Sequence, residues 1–101
     1  MSTKKTIQML EKILGKPLTL ADLLLAIRQG EEMTQSDFAK ILGISKQYLS
    51  DVERERRFIS PKIAASFAKK LGYSEEQFLQ LCLQDLLTRN DFPYRVSLKA
   101  A

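Results

Sequence analysis

Residues 34–54 read Thr-Gln-Ser-Asp-Phe-Ala-Lys-Ile-Leu-Gly-Ile-Ser-Lys-Gln-Tyr-Leu-Ser-Asp-Val-Glu-Arg, and this stretch decides the fold. Its apolar residues fall at Phe38, Ala39, Leu42, Ile44, Leu49 and Val52. Phe38, Ala39 and Leu42 share one face of a first helix, and Leu49 and Val52, three apart, share one face of a second. Gly43 stands between the two groups, where a helix end needs a positive φ that a side chain would penalise. Ser45 is placed to cap the second helix by accepting from its free N–H groups. Two short helices joined at a glycine, with small Ala39 allowing close approach, describe a helix-turn-helix. The outer face of the second helix, Lys46, Gln47, Ser50, Asp51 and Arg54, suits the edges of base pairs. A helical hairpin from an unrelated domain would match two or three of these positions; here six apolar positions and the glycine agree together.

Around this motif the chain reads as helices separated by stop and start signals. Thr3 to Leu14 has Ile7, Leu10 and Leu14 at helical spacing, Gly15 stops it, and Pro17 prevents resumption. Thr19 caps a helix over about 20–29 whose apolar face is Leu20, Leu23, Leu24 and Ile27, with Asp22 complementing its N-terminus and Gly30 ending it. The motif helices occupy about 35–42 and 46–54. Ser60-Pro61 pairs a cap with proline at the first helical position, and the helix it starts carries Ile63, Ala64, Phe67, Ala68 and Leu71 up to Gly72. Ser74 and Gln77 form a capping box for a last helix at about 75–89. There Phe78, Leu79, Leu81, Cys82, Leu83, Leu86 and Leu87 wrap more of the cylinder than one core needs. That band is either sandwiched within the domain or meets a second subunit.

After Asn90 the period changes. Phe92, Tyr94, Val96 and Leu98 alternate with Pro93, Arg95, Ser97 and Lys99, the pattern of a half-buried strand. A single strand leaves its backbone groups unpaired, so either another chain pairs with it or the segment is an extended tail on the surface. The expected fold is therefore all-α. It has a five-helix DNA-binding domain at 19–89, an extra N-terminal helix within 1–16, and a short C-terminal β-strand within 90–101.

At 101 residues the chain is expected to form one domain with short extensions. The longest apolar run is Leu23 to Ile27, far short of a membrane span, and Met1 to Lys5 lead into an amphipathic stretch, so a cytoplasmic location without a membrane partner is expected. Cys82 is the only cysteine and histidine is absent, which excludes a disulfide framework, the usual zinc spacings and His-based acid–base chemistry. The four glycines are too scattered to cradle a phosphate. No enzymatic activity, cofactor or metal is expected. Cys82 reads as a buried small hydrophobe.

The net charge of +4 fits a nucleic-acid partner, yet residues 31–60 hold five basic and six acidic side chains, a net of −1. The useful charge is positional: Arg54, Arg56, Arg57 and Lys62 follow the second motif helix, where the chain should pass the phosphate backbone. The alternation Arg54, Glu55, Arg56 also fits a solvated charged loop.

The segment resembles the Cro/cI (Xre, lambda-repressor-like) helix-turn-helix family of phage repressors and bacterial antitoxins, over about Leu20 to Leu87. The resemblance implies that the second motif helix enters the major groove of double-stranded DNA, with Lys46, Gln47 and Asp51 reading bases and Ser50 close by. Asp51 is the residue least suited to lie near phosphates, and it can instead pair with Arg54. Gln35 matches a family position that anchors phosphate at a helix N-terminus, with Thr34 as its cap. Tyr48 either lies over the sugar–phosphate backbone or packs against the protein. The family also places an arginine seven residues before this glutamine, which implies a partly buried ion pair between Arg28 and Glu53. Many members carry glycine where this chain has Glu55, so the turn there is expected to run differently, which bears on the phosphate contacts of Arg56 and Arg57.

Two functions fit. One is a homodimeric repressor on a two-fold operator, dimerising through Leu83, Leu86 and Leu87 and the tail residues Phe92, Tyr94, Val96 and Leu98. The other is an antitoxin resembling the HigA type, which neutralises a RelE/HigB-like toxin and represses its own operon.

Overall fold

The computed structural model describes residues 3–101, which form six helices: α1 (Thr3–Leu14), α2 (Leu20–Gly30), α3 (Gln35–Leu42), α4 (Lys46–Glu53), α5 (Pro61–Leu71) and α6 (Glu75–Arg89). None of these helices is long and apolar enough to cross a membrane.

The helix starts are held by side chains. Thr19, Thr34, Ser45, Ser60 and Ser74 each accept from a backbone N–H three residues on, which satisfies donors that the first turn leaves free. At Thr19 the box is reciprocal, because Asp22 also accepts the Thr19 N–H at 3.2 Å. At Ser74 it is not. The Ser74 N–H, which sequence spacing assigns to Gln77, donates instead to Thr3 Oγ1 at 2.9 Å and thereby ties the start of α1 to that of α6. A second long-range cap joins α6 to α2: Asp85 Oδ2 accepts the Leu20 N–H at 3.1 Å.

The core gathers one stripe from each helix. Leu23 and Leu24 of α2, Phe38 and Leu42 of α3, Leu49 and Val52 of α4, Phe67 of α5 and Phe78 of α6 are fully buried, and Ile7 brings α1 into the same cluster. The α5–α6 pair forms the broadest helix contact, and α3, α4 and α2 close against it. Only Phe78, Leu81 and Cys82 of α6 reach the core, so the band of leucines on this helix is not sandwiched within the domain. Leu79, Leu83 and Leu87 stay half-buried and Leu86 is 56% exposed.

The helix ends differ from expectation in one respect. Gly43 and Gly72 take the left-handed conformation after α3 and α5, but Glu32, Glu55 and Asp91 do the same after α2, α4 and α6. Gly30, expected to end α2, is its last helical residue, and the reversal falls on Glu32. The turn after α4 keeps its left-handed residue although that residue is Glu55 at φ 59°. Arg56 N–H donates to Asp51 C=O at 2.8 Å and Glu55 N–H to Val52 C=O at 3.0 Å, the paired bonds of a Schellman ending. The turn therefore runs as it would with glycine, at a conformational cost of about 1 kcal/mol.

The C-terminal segment is not a β-strand. Phe92, Tyr94, Val96 and Leu98 lie in an extended tail without ladder partners, and Phe92 and Tyr94 are 52% and 67% exposed. The alternation misleads because the backbone finds a partner that is not a strand. The Gln84 side chain accepts the Val96 N–H at 2.8 Å and donates to the Tyr94 C=O at 2.9 Å.

Candidate nucleic-acid interface

The candidate recognition surface starts from α4. Ser45 Oγ accepts the Tyr48 N–H at 3.0 Å, which fixes the first turn, while Leu49 and Val52 anchor the inner face. Lys46 and Gln47 are consequently exposed at the N-terminal end, where peptide dipoles favour anions. Ser50 and Asp51 lie half-buried one turn further on. Gln47 Nε2 donates to Asp51 Oδ1 at 2.9 Å, so the partner of Asp51 is Gln47 and not Arg54. The bond holds the amide of Gln47 at a fixed place on the exposed face.

A part-buried charge cluster ties the end of α4 to α2 and α3. Arg28 of α2 donates through Nε to Glu53 Oε2 at 2.7 Å and through Nη2 to Glu53 Oε1 at 3.1 Å, a bidentate pair. Side-chain exposure is 16% for Arg28 and 5% for Glu53, so the charges have little solvent to fall back on. Arg28 Nη1 also donates to Met33 C=O at 3.0 Å, and Gln35 Nε2 to Glu53 Oε1 at 2.8 Å. Three elements are thereby pinned at one carboxylate: the end of α2, the start of α3 and the end of α4. The side-chain amide donor of Gln35 is engaged in this cluster. What Gln35 and Thr34 leave for an anion are the N–H groups of the first turn of α3, where Thr34 Oγ1 accepts from Asp37 N–H at 3.1 Å.

Past the end of α4, Arg54, Arg56 and Arg57 are all exposed, and exposed Lys62 follows in the first turn of α5. The guanidinium of Arg57 stands 4.4 Å over the ring of Tyr48. That ring packs half-buried against the core, so among the described residues Tyr48 acts as a platform for an arginine.

Lysine 70 plays a part that sequence spacing alone does not give. Its Nζ donates to the Leu42 C=O at 2.9 Å, closing the carbonyl end of α3 beside the turn. A β-carbon on Gly43 would meet this nitrogen at 2.8 Å and displace the flexible lysine end, so it is the φ of 74° that restricts position 43. Spacing shows no local partner for Lys70, because the acceptor lies 28 residues away.

Behind the arginine loop lies a cleft of about 240 Å³, lined among others by Val52, Glu55, Phe58, Ile59, Cys82 and Asp85. Cys82 Sγ donates to the Ile59 C=O at 3.2 Å, and burial together with the Asp85 carboxylate pushes its thiol up. Burial also pushes the Asp85 carboxyl up to about 6, aided by Glu55 and Asp22 and opposed by the Leu20 N–H and by Arg89. The guanidinium of Arg89 itself lies over the Phe58 ring.

Leu83, Leu86, Leu87 and the tail residues Phe92, Tyr94, Val96 and Leu98 are brought together by the descent of the tail along α6, beginning with a bond from Phe92 N–H to Leu87 C=O at 2.9 Å.

No curated protein and no solved structure matches the chain. The family model described as helix-turn-helix matches residues 24–78, more than half of the sequence, and spans the elements that carry the exposed face of α4 and its ionic tie. With this match and this geometry together, the chain belongs to the Cro/cI-type (Xre) helix-turn-helix family of DNA-binding transcriptional regulators.

Proposed function

We propose that the protein is a repressor that reads a two-fold operator as a homodimer. The observation that carries this reading is the exposed Lys46–Gln47 turn of α4, aimed by the Arg28–Glu53–Gln35 cluster and followed directly by Arg54, Arg56 and Arg57. Gln47 and Lys46 enter the major groove, where an amide matches adenine and an ammonium matches guanine acceptors. Ser50 and Asp51 meet the next base pair, with Asp51 orienting Gln47 until a cytosine amino group replaces it. The N–H groups after Thr34 and Gln35, the three arginines and Lys62 take phosphates, and Tyr48 supports Arg57.

One such helix reads too few bases to be selective among many genomic sites, which favours two copies about 34 Å apart in successive major grooves. The exposed Leu86 and its half-buried neighbours Leu83 and Leu87 are the natural contact between copies.

The test is a binding titration on the duplex recovered from a genomic selection and on a scrambled one, at several salt concentrations. Gln47→Ala weakens binding at particular base pairs by about 1–3 kcal/mol, whereas Arg56→Ala weakens it on every sequence and lowers the salt dependence. Equal affinity for both duplexes overturns base readout. Light scattering at tens of micromolar, an order-of-magnitude range for specific association, reads the oligomeric state.

A second reading is an antitoxin resembling the HigA type. It is favoured by where most of the exposed large apolar residues lie: Ile41 and Phe58 fall inside residues 24–78, and Met9, Ile13 and Leu14 at one end and Leu86, Phe92 and Tyr94 at the other fall outside. Co-purification with the product of an adjacent small RelE-like reading frame, abolished by polar substitutions at these six positions, supports it. Loss of toxicity without a complex counts against it.

A further inference from the structure

The bond pattern between Gln84 and the tail is that of a seat for an extended peptide. One side-chain amide accepts from Val96 N–H at 2.8 Å and donates to Tyr94 C=O at 2.9 Å, spanning Arg95. In a parallel ladder a backbone residue takes the same two bonds, one to the residue before its opposite number and one to the residue after. Gln84 thus replaces a neighbouring strand with a single side chain, and Gln84 Nε2 is further steadied by Thr88 Oγ1 at 3.3 Å.

The closed arrangement leaves the tail weakly held. None of residues 92–98 joins the core, and of the two bonds to Gln84 the one to Tyr94 is exposed and the one from Val96 is part-buried. Phe92 and Tyr94 remain 52% and 67% exposed beside Leu86 at 56%. The tail turns back at Asp91, a non-glycine residue at φ 59°, through bonds from Asp91 N–H to Thr88 C=O at 3.2 Å and from Phe92 N–H to Leu87 C=O at 2.9 Å. A second copy offers the same seat and the same tail. Exchange remakes both bonds to Gln84 and brings two sets of exposed apolar residues together about one two-fold axis.

We propose that residues 92–98 are an exchangeable clasp, the tail of each copy lying in the Gln84 seat of the other. The occupant of the seat is then a second copy of this chain, as in other swapped dimers. The inference rests on the homodimer reading above and specifies how that dimer closes.

Two full-length variants test it. Gln84→Ala destroys the seat and keeps the tail; Val96→Pro removes the N–H that the seat accepts and keeps the seat. With exchange, each variant alone dimerises at least about tenfold more weakly than the native chain. Mixed in equal amounts, with one copy enlarged by a tag, they recover a dimer containing one of each, because a single intact clasp is available only in the mixed pair. Melting curves of both variants monitor folding, which neither residue supports from the core.

Three results overturn the proposal and remain distinguishable. If both variants dimerise like the native chain, the dimer stands and exchange fails. If both are impaired and mixing restores nothing, the clasp closes within one copy. If the native chain is monomeric at tens of micromolar, an order-of-magnitude range for specific association, the homodimer reading itself fails and exchange falls with it.

Discussion

The α3–α4 pair and the C-terminal α6 with its tail are both rich in apolar residues and treat them in opposite ways. In α3–α4 and their turn, every large apolar residue except Ile41 is buried or packed against the core. In α6 and the tail, Leu86, Phe92 and Tyr94 face solvent, and Leu79, Leu83, Leu87, Val96 and Leu98 are only half-covered. The polar groups follow the same division. Glu53 receives three donors from two side chains, whereas Asp85, the half-buried acid of α6, accepts one backbone N–H, and its nearby cation Arg89 is engaged with Phe58. The α3–α4 pair is thus satisfied within itself, and the segment formed by α6 and the tail leaves apolar area uncovered.

The largest test of this contrast is Glu53→Ala. It strands the Arg28 charge and the Gln35 amide in a nearly dry site, and urea unfolding is expected to lose about 3–5 kcal/mol. Leu86→Ser on the open face of α6 should change the same measurement by less than about 0.5 kcal/mol. Similar losses from the two variants would break the comparison.

Asp85→Asn probes the less satisfied side at intermediate size. Burial raises this carboxyl from 3.8 to about 6, so the folded state holds the proton more tightly than the unfolded chain. Below about pH 4 the group is neutral in both states and imposes no penalty; the penalty grows as pH rises and is complete above about pH 6. Asparagine keeps an oxygen for the Leu20 N–H and carries no charge. The variant should therefore gain on the native protein between pH 4 and pH 7, by about 1–2 kcal/mol after allowance for solvent screening. A gap between the two that stays constant with pH would show that Asp85 is not desolvated.

Smaller gains come from two left-handed non-glycine turns, one in each region. Glu55→Gly should raise the melting stability by about 0.5–1 kcal/mol, and Asp91→Gly by less, because aspartate tolerates this conformation better than glutamate. A loss at Asp91 alone would mean that its side chain holds the tail turn.

The helix-turn-helix was legible because its signals are local: a cap three residues from its donor, a glycine where φ is 74°, apolar residues three and four apart. The exposed face of α4 follows directly from that placement. What the sequence hid is of two kinds. Glu32, Glu55 and Asp91 adopt a glycine-like backbone without the residue that advertises it, since the Schellman bonds and the packing around them outweigh the local preference. The other kind is long-range pairing by a single polar side chain. Lys70 to Leu42, Asp85 to Leu20 and Thr3 to Ser74 connect residues 28, 65 and 71 apart, and no periodicity records them. The tail belongs here too: its alternation is genuine, and its partner is the amide of Gln84, which no strand pattern can reveal.

The stacking of Arg57 on Tyr48 gives the protein an optical property. There is no tryptophan, and the three tyrosines stand in three different places: Tyr48 on the recognition helix, Tyr73 tilted against Phe78 at the core, and Tyr94 in the tail. Replacing any two by phenylalanine leaves a single emitter whose address is known. With Tyr48 alone, emission reports the surroundings of α4, where the Arg57 guanidinium lies over the ring. With Tyr94 alone, it reports the tail, so events at the two regions can be timed separately in one unlabelled molecule.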